Sequence, residues 1–383
     1  MPGSFIHDKS ANCQGDLPLA FLLPFEANLG HILPVKACTY CGSDNNEDAR
    51  HCLECGTEFS DSQEEMPATT FPIESGIDLS QLDMGFEISE RFSRPNWKAI
   101  SAFVKTNISK EDYPTVWRII PEKWLEQMAK DLGGASRVYR SDNFLCLSDV
   151  TPEITRTLLA YAESVLGTIR GSLKEAAWTG FYGKHVLLLF SDLDDYFAYI
   201  SFYYPEGSHA LSSGVFLRQG YAHIALPYEN TLSAEHVLVH ELVHNLLSRL
   251  PIPLWLNEGL AVVIEGRVSR FPFRVDADMV DRHGRHWSEE NIQAFWAGKS
   301  FNVPGEESEL SYSLAPILVT LLSEKGGDFI TFIRNADWRD AGQEAALTIL
   351  DRDLGDVAGE FLGPGNWRPQ RKAIVEQCKP KQP

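Results

Sequence analysis

Apolar positions recur at helical spacing from residue 97 onward, whereas residues 60–95 show little periodicity. Helical patterns cover residues 97–104 and 113–132, and the glycine pair Gly133-Gly134 ends the second of them. We therefore predict a helical subdomain over residues 96–135. Its regularly spaced large side chains are assigned to a hydrophobic core: Trp117, Ile120, Trp124 and Met128.

Short apolar segments typical of β-strands alternate with a helix in the next part of the chain. Residues 144–147 and 185–190 read as strands, and the helix between them starts at Thr151-Pro152, with Thr151 as N-cap and Pro152 at the first helical position. Residues 214–217 and 222–226 read as a hairpin.

Residues 234–247 form a further helix pattern, which follows the predicted hairpin. They contain neither glycine nor proline, Ser233 is a plausible N-cap, and Pro251 ends the run. Apolar residues cover most of the circumference of this helix, so the sequence predicts burial on nearly all sides.

The pattern after residue 266 is mainly helical, with one polar interruption. His283 and His286 fall in the sequence Asp-Arg-His-Gly-Arg-His, which we interpret as an exposed loop. Helices are predicted over 289–297, 314–324, 329–335 and 342–350. Strands followed by a helical half indicate the α+β class.

Composition narrows the possible functions. The chain has 383 residues, with 34 Lys and Arg against 53 Asp and Glu, for a formal net charge of −19. Such an acidic protein is a poor candidate for binding nucleic acid or anionic membranes through its overall field. No apolar run is long enough to span a bilayer, so we expect no membrane association.

The first candidate for a catalytic motif is His240-Glu241-Leu242-Val243-His244. Four residues on a helix advance by about 400°, so the two imidazoles lie one turn apart and can bind one zinc ion. Glu241 projects beside that face, where it can take a proton from a metal-activated water.

A third ligand comes from a second apolar segment, Trp255-Leu256-Asn257-Glu258-Gly259-Leu260-Ala261. Glu258 lies inside this predicted helix, where an unpaired carboxylate would be costly. With His240 and His244 it completes a His₂Glu set, which leaves the fourth position for water, as catalytic zinc requires.

These two motifs resemble those of the gluzincin metallopeptidases, specifically the peptidase MA-like families with a short spacer before the glutamate. The resemblance implies a zincin-like catalytic domain, with a small mixed sheet and an active-site helix followed by a helical half. It also implies that His240, His244 and Glu258 bind zinc and that Glu241 is the catalytic glutamate.

The resemblance suggests further roles. The hairpin near Gly214 would bind the substrate backbone as an added strand. Tyr312 would stabilise the oxyanion, because a similar tyrosine precedes the C-terminal helix in related families, and His283 and His286 are the alternatives. One departure is that thermolysin-like members carry an acid four residues after the glutamate ligand, where this chain has Val262.

Four cysteines form a second motif near the N-terminus. Cys38 and Cys41, then Cys52 and Cys55, make two C-x-x-C-G knuckles that predict a closed Cys₄ zinc ribbon over residues 38–59. A redox-active pair is the alternative, but it lacks a βαβ context. Because acidic residues outnumber basic ones here, we expect the ribbon to contact a protein partner, or the catalytic domain of the same chain, and not nucleic acid.

The remaining segments complete the predicted organisation. Residues 1–37 read as a flexible arm without a secretory signal, which favours a cytoplasmic protein with reduced cysteines. Residues 60–95 read as a linker, 136–363 as the gluzincin-like metallopeptidase domain and 364–383 as a loose tail.

The sequence thus predicts a metallopeptidase with one catalytic and one structural zinc ion, acting on a peptide or protein substrate. Two alternatives remain open: a non-catalytic scaffold whose site only stabilises the fold, and a zinc hydrolase acting on a non-peptide bond. Glu241, which a purely structural site does not need, argues against the scaffold.

Overall fold

The structure, a computed structural model, describes residues 35–37, 44–46, 79, 82–89, 91–180, 182–204, 213–269, 273–324 and 328–377. The chain divides into two compact units. The described residues of the sheet unit lie within 35–167 and 180–238, and those of the helical unit lie within 168–179 and 239–377. Helices together with a small sheet confirm the predicted α+β class.

Two antiparallel hairpins come first along the chain. Strand β1 (Val35–Ala37) pairs with β2 (Asp44–Asn46), and β3 (Glu87–Ser89) pairs with β4 (Phe92–Arg94). The second hairpin falls within the segment 60–95 that the sequence suggested to be a linker.

Side-chain packing explains why that segment is ordered at its end. Phe92 is fully buried, and the Arg94 guanidinium donates to the backbone oxygens of Ser89 and Tyr199. Tyr199 lies far from the hairpin in sequence, and the hairpin itself has no periodic pattern. The sequence pattern therefore did not predict this ordered structure.

Two helices follow as predicted. Helix α1 (Trp97–Asn107) is capped by Asn96, whose side-chain oxygen accepts from the Ala99 N–H at 3.0 Å. Helix α2 (Tyr113–Leu132) ends at Gly133, which has a positive φ of 69°. Trp124 of α2 is buried and donates its indole N–H to the Ser93 oxygen, so these helices belong to the core of the sheet unit.

A five-stranded mixed sheet follows, with the order β5-β6-β7-β9-β8. The three inner strands, β6, β7 and β9, are parallel, and the edge strands β5 and β8 are antiparallel to their neighbours. Helix α3 (Pro152–Leu173) connects β6 to β7, and α4 (Leu193–Ser201) follows β7. The strands are β5 (Arg137–Arg140), β6 (Phe144–Ser148), β7 (His185–Phe190), β8 (Val215–Leu217) and β9 (His223–Pro227).

Every residue of β6, β7, β8 and β9 is buried, which accounts for their continuous apolar sequences. His223 of β9 donates from Nδ1 to the Tyr221 oxygen at 2.7 Å, and its Nε2 accepts from the Tyr199 hydroxyl at 2.7 Å. Burial lowers its pKa to about 4, so it is a neutral core histidine.

Helix α5 (Thr231–Leu247) begins in the sheet unit and ends in the helical unit. It starts two residues before the predicted cap Ser233. Asn230 caps it instead, since its side-chain oxygen accepts from the Ser233 N–H at 2.9 Å.

The helical unit continues with eight helices: α6 (Leu254–Val268), α7 (Ala277–His286), α8 (Ile292–Trp296), α9 (Glu306–Glu324), α10 (Phe329–Asn335), α11 (Gln343–Leu350), α12 (Leu354–Leu362) and α13 (Arg371–Gln377). Among them α6 and α9 pack against each other along much of their length. The predicted helical half is therefore present in the described residues.

Two helices differ from the sequence expectations. His283 and His286 lie in helix α7, not in a loop, and Asp276 caps that helix by accepting from the Met279 N–H at 2.8 Å. The helix containing Tyr312 begins at Glu306 and not at residue 314. Its first turn is acidic, which suits a helix N-terminus but obscures the apolar pattern.

The segment 364–377 is also better anchored than a loose tail. Trp367 is buried, and its backbone oxygen accepts from the Trp296 indole at 2.8 Å. Gln293 of α8 bonds the backbone of Arg368 and Gln370. A single tryptophan in a polar stretch carries no periodic signal, so only the packing identifies it.

The predicted ribbon cysteines, Cys38, Cys41, Cys52 and Cys55, lie outside the described residues, as do residues 1–34. None of the helices in the described part of the chain combines the length and apolar sequence that a membrane span requires.

Candidate metal centre

The predicted ligands converge between helices α5 and α6 of the helical unit. On α5 the rings of His240 and His244 lie with centroids 4.6 Å apart and nearly perpendicular, as expected for positions one turn apart. Helix α6 begins after Pro253 and presents Glu258 towards them. The carboxylate and both imidazoles offer ligand atoms that all lie within 4.8 Å of one another.

The spacing of these atoms fits a tetrahedral zinc ion. Glu258 Oε2 lies 3.3 Å from His240 Nε2 and 3.6 Å from His244 Nε2. Ligand atoms about 2.0–2.1 Å from a tetrahedral ion would be about 3.3–3.4 Å from each other. The three residues therefore offer donor types that suit zinc, and the two distances from the carboxylate to the imidazoles are close to those expected around the ion.

The surroundings of the three groups are apolar. Only 3% of Glu258 and 2% of His240 is exposed, and the neighbours Trp255 and Leu256 are fully buried. Ionised groups at such depth are costly unless they pair with each other or bind a metal.

The pKa values of this cluster reflect that pairing. Burial alone would lower the pKa of His240, but hydrogen bonds with Glu258 and Glu265 outweigh it and raise the pKa to about 10. Burial would raise the pKa of Glu258, but the charge of His244 and hydrogen bonds from both histidines lower it to about 2. A divalent cation can replace the proton as the positive partner of this carboxylate.

Glu241 lies next to His240 and is 2% exposed. Its negative charge contributes to the raised pKa of His240. The predicted base therefore lies in the same buried electrostatic environment as the predicted ligands.

Tyr312, on α9, shares that environment. Its pKa is raised well above the usual value by burial, and the carboxylates of Glu258 and Glu241 raise it further. Its ring packs edge-on against Phe301 at 5.1 Å. A neutral, protonated phenol in this position can donate a hydrogen bond.

The alternative donor His283 is engaged elsewhere. Its Nδ1 accepts from the Trp287 indole at 2.9 Å, so its N–H is on Nε2, which lies 2.9 Å from the Ser313 hydroxyl. Burial lowers its pKa to about 4. His286 packs its ring edge-on against Trp287. These contacts favour a packing role for both histidines.

Sequence reasoning missed one residue of the cluster, Glu265. Its Oε2 lies 3.2 Å from Nδ1 of His240, on the ring edge opposite the ligand nitrogen. The signal available in the sequence was an acid seven residues after Glu258, which is two turns further along the same helix face.

Close packing of α6 on α9 holds Glu258 in place. Gly259 faces α9 so closely that an added Cβ would lie 2.6 Å from the Ala315 oxygen and 2.7 Å from Val319 Cγ2. A side chain at this position would push the two helices apart next to the ligand.

No protein-family model matches the sequence, and no curated protein matches it in a sequence comparison. A functional interpretation therefore rests on the residues and geometry of the cluster.

We predict that Gly259→Ala destabilises the protein by about 1–3 kcal/mol, through overpacking, and weakens zinc binding. Thermal unfolding and chelator competition would measure the two effects. The matched control is Gly284→Ala on α7, where an added Cβ meets nothing within 4 Å. That change should stabilise the helix by about 0.5–1 kcal/mol. Equal behaviour of the two variants would contradict the packing argument.

Proposed function

We propose that this protein is a zinc-dependent metallopeptidase of the gluzincin type, with a zincin-like catalytic domain. The observation that carries the proposal is the cluster of His240, His244 and Glu258, in which His240 and Glu258 are buried and the ligand atoms of all three residues lie within 4.8 Å of one another. Glu241 beside it supplies the base that hydrolysis requires and that a structural site does not need.

Each residue has a defined part in the proposed reaction. Zinc, when bound, would act as a Lewis acid on the scissile carbonyl and lower the pKa of a water molecule towards about 7. Glu241 takes the proton of the attacking water and passes it to the leaving amine. Tyr312 donates a hydrogen bond to the oxyanion that develops on the carbonyl oxygen.

The sheet unit supports a proposal for substrate binding. Strand β8 is an edge strand, and Gly214, which precedes it, lies against Val237 in the first half of α5. An extended peptide could add to such an edge through main-chain hydrogen bonds. A mixed peptide library tested beside small amides and esters would separate a peptidase from a hydrolase of other bonds.

The first test is metal content, which we predict to be two zinc ions per chain. His240→Ala combined with His244→Ala should remove one, and Cys38→Ser combined with Cys41→Ser should remove the other, because the two sites share no ligand. Cys146→Ser, which changes a buried cysteine of β6, is the control and should remove none. Full zinc content in the histidine variant would refute the catalytic site.

The second test concerns the base. Glu241→Gln keeps the size of the side chain but cannot accept the proton, so kcat should fall by at least about 10² while zinc stays bound. Steady-state kinetics on an accepted peptide and metal analysis give the two readouts. An unchanged kcat would assign the base to another residue.

The third test concerns the oxyanion donor. Tyr312→Phe should lower kcat by about 10² with little change in KM, since the hydrogen bond forms mainly in the transition state. Normal kinetics together with a lowered melting temperature would show that the Tyr312 hydroxyl stabilises the fold and takes no part in the reaction.

A further inference from the structure

Helix α6 carries two carboxylates on one face. Glu258 and Glu265 are seven residues apart, a rotation of about 700° that brings them within about 20° of each other and about 10.5 Å apart along the axis. The imidazole of His240 lies between them, with Nε2 at 3.3 Å from Glu258 Oε2 and Nδ1 at 3.2 Å from Glu265 Oε2.

The two contacts differ in what they do to the ring. Nε2 faces the point where the three ligand atoms converge, whereas Nδ1 faces away from it. A carboxylate accepts hydrogen bonds and cannot donate them when ionised, so the atom facing Glu265 is a protonated Nδ1–H. The lone pair of the neutral imidazole then belongs to Nε2.

The second histidine has no such support. Nδ1 of His244 is buried and has no hydrogen-bond partner among the residues that the structure describes. Two ligands from the same helix are therefore held differently, and only His240 is fixed from behind by a charged group.

We propose that Glu265 is the positioning residue of the metal site, which keeps the proton of His240 on Nδ1 and directs its Nε2 lone pair towards zinc. This inference rests on the proposed zinc site but not on peptidase activity. Zinc takes the place of the proton on Nε2, which is released to solvent, while the Nδ1–H remains on the ring and stays bonded to Glu265. Outer hydrogen bonds of this kind typically contribute 10–100-fold to metal affinity.

Competition with a chromophoric chelator measures the zinc affinity of the full chain. The zinc ion of interest is the one that is lost in the variant with both His240→Ala and His244→Ala. Glu265→Gln, which has the same size but no charge, should weaken that affinity by about 10–100-fold. Glu265→Asp should recover part of it. The matched control is Glu324→Gln, an exposed residue about 18 Å beyond Tyr312 along α9, which should have no effect.

A second readout separates positioning from general stability. With Co²⁺ in place of zinc, the visible d–d bands of the histidine site should shift in Glu265→Gln and return towards the original in Glu265→Asp. If Glu265→Gln does not fold without metal, Glu265→Asp is used instead. The proposal then requires that both the zinc affinity and the cobalt spectrum of Glu265→Asp differ from those of the original protein.

The outcomes distinguish the two proposals. If the original protein shows no zinc equivalent that depends on His240 and His244, the proposed function fails. If it does, but Glu265→Gln binds zinc with unchanged affinity and gives an unchanged cobalt spectrum, the role of Glu265 is overturned and the zinc site stands.

Discussion

The burial of a carboxylate and two imidazoles in an apolar interior is the constraint on which the helical unit depends. Glu258 and His240 are almost completely enclosed, so each needs an opposite charge or a metal within a few ångströms. That requirement is met by the contacts of Glu258 on α6 with His240 and His244 on α5. It also makes the cluster sensitive to any change in helix packing.

Helix α6 connects the ligand to the rest of the helical unit. Glu258 faces α5, whereas Gly259, the next residue, lies against α9 without room for a side chain. Helix α9 also carries Tyr312. The close contact between α6 and α9 therefore links the position of Glu258, the proposed ligand, to that of Tyr312, the proposed oxyanion donor. The pKa of the tyrosine responds to Glu258 and Glu241, which shows that the three groups share one electrostatic environment.

The position of Glu265 shows how one helix face can serve a metal site in more than one way. A residue four positions after Glu258 would lie about 40° from it, and one seven positions after lies about 20° away on the other side. Residues at both positions lie on the same face of α6 as Glu258. Val262 occupies the first, and Glu265, at the second, contacts Nδ1 of His240.

Periodicity and spacing, which are local properties of the chain, were enough to predict the α+β class, helices α1 and α2, the apolar strands of the sheet and the candidate ligands His240 and His244. Helix geometry brought His240 and His244 together, whereas Glu258 was added from its place in a second apolar segment and from the resemblance to gluzincins. Tertiary structure decided that Glu265 contacts His240, that Arg94 and Trp367 are buried, and that His283 lies in a helix with both nitrogens engaged. Each of these depends on contacts between segments distant in sequence, or on caps and single side chains that leave no repeating pattern in the chain.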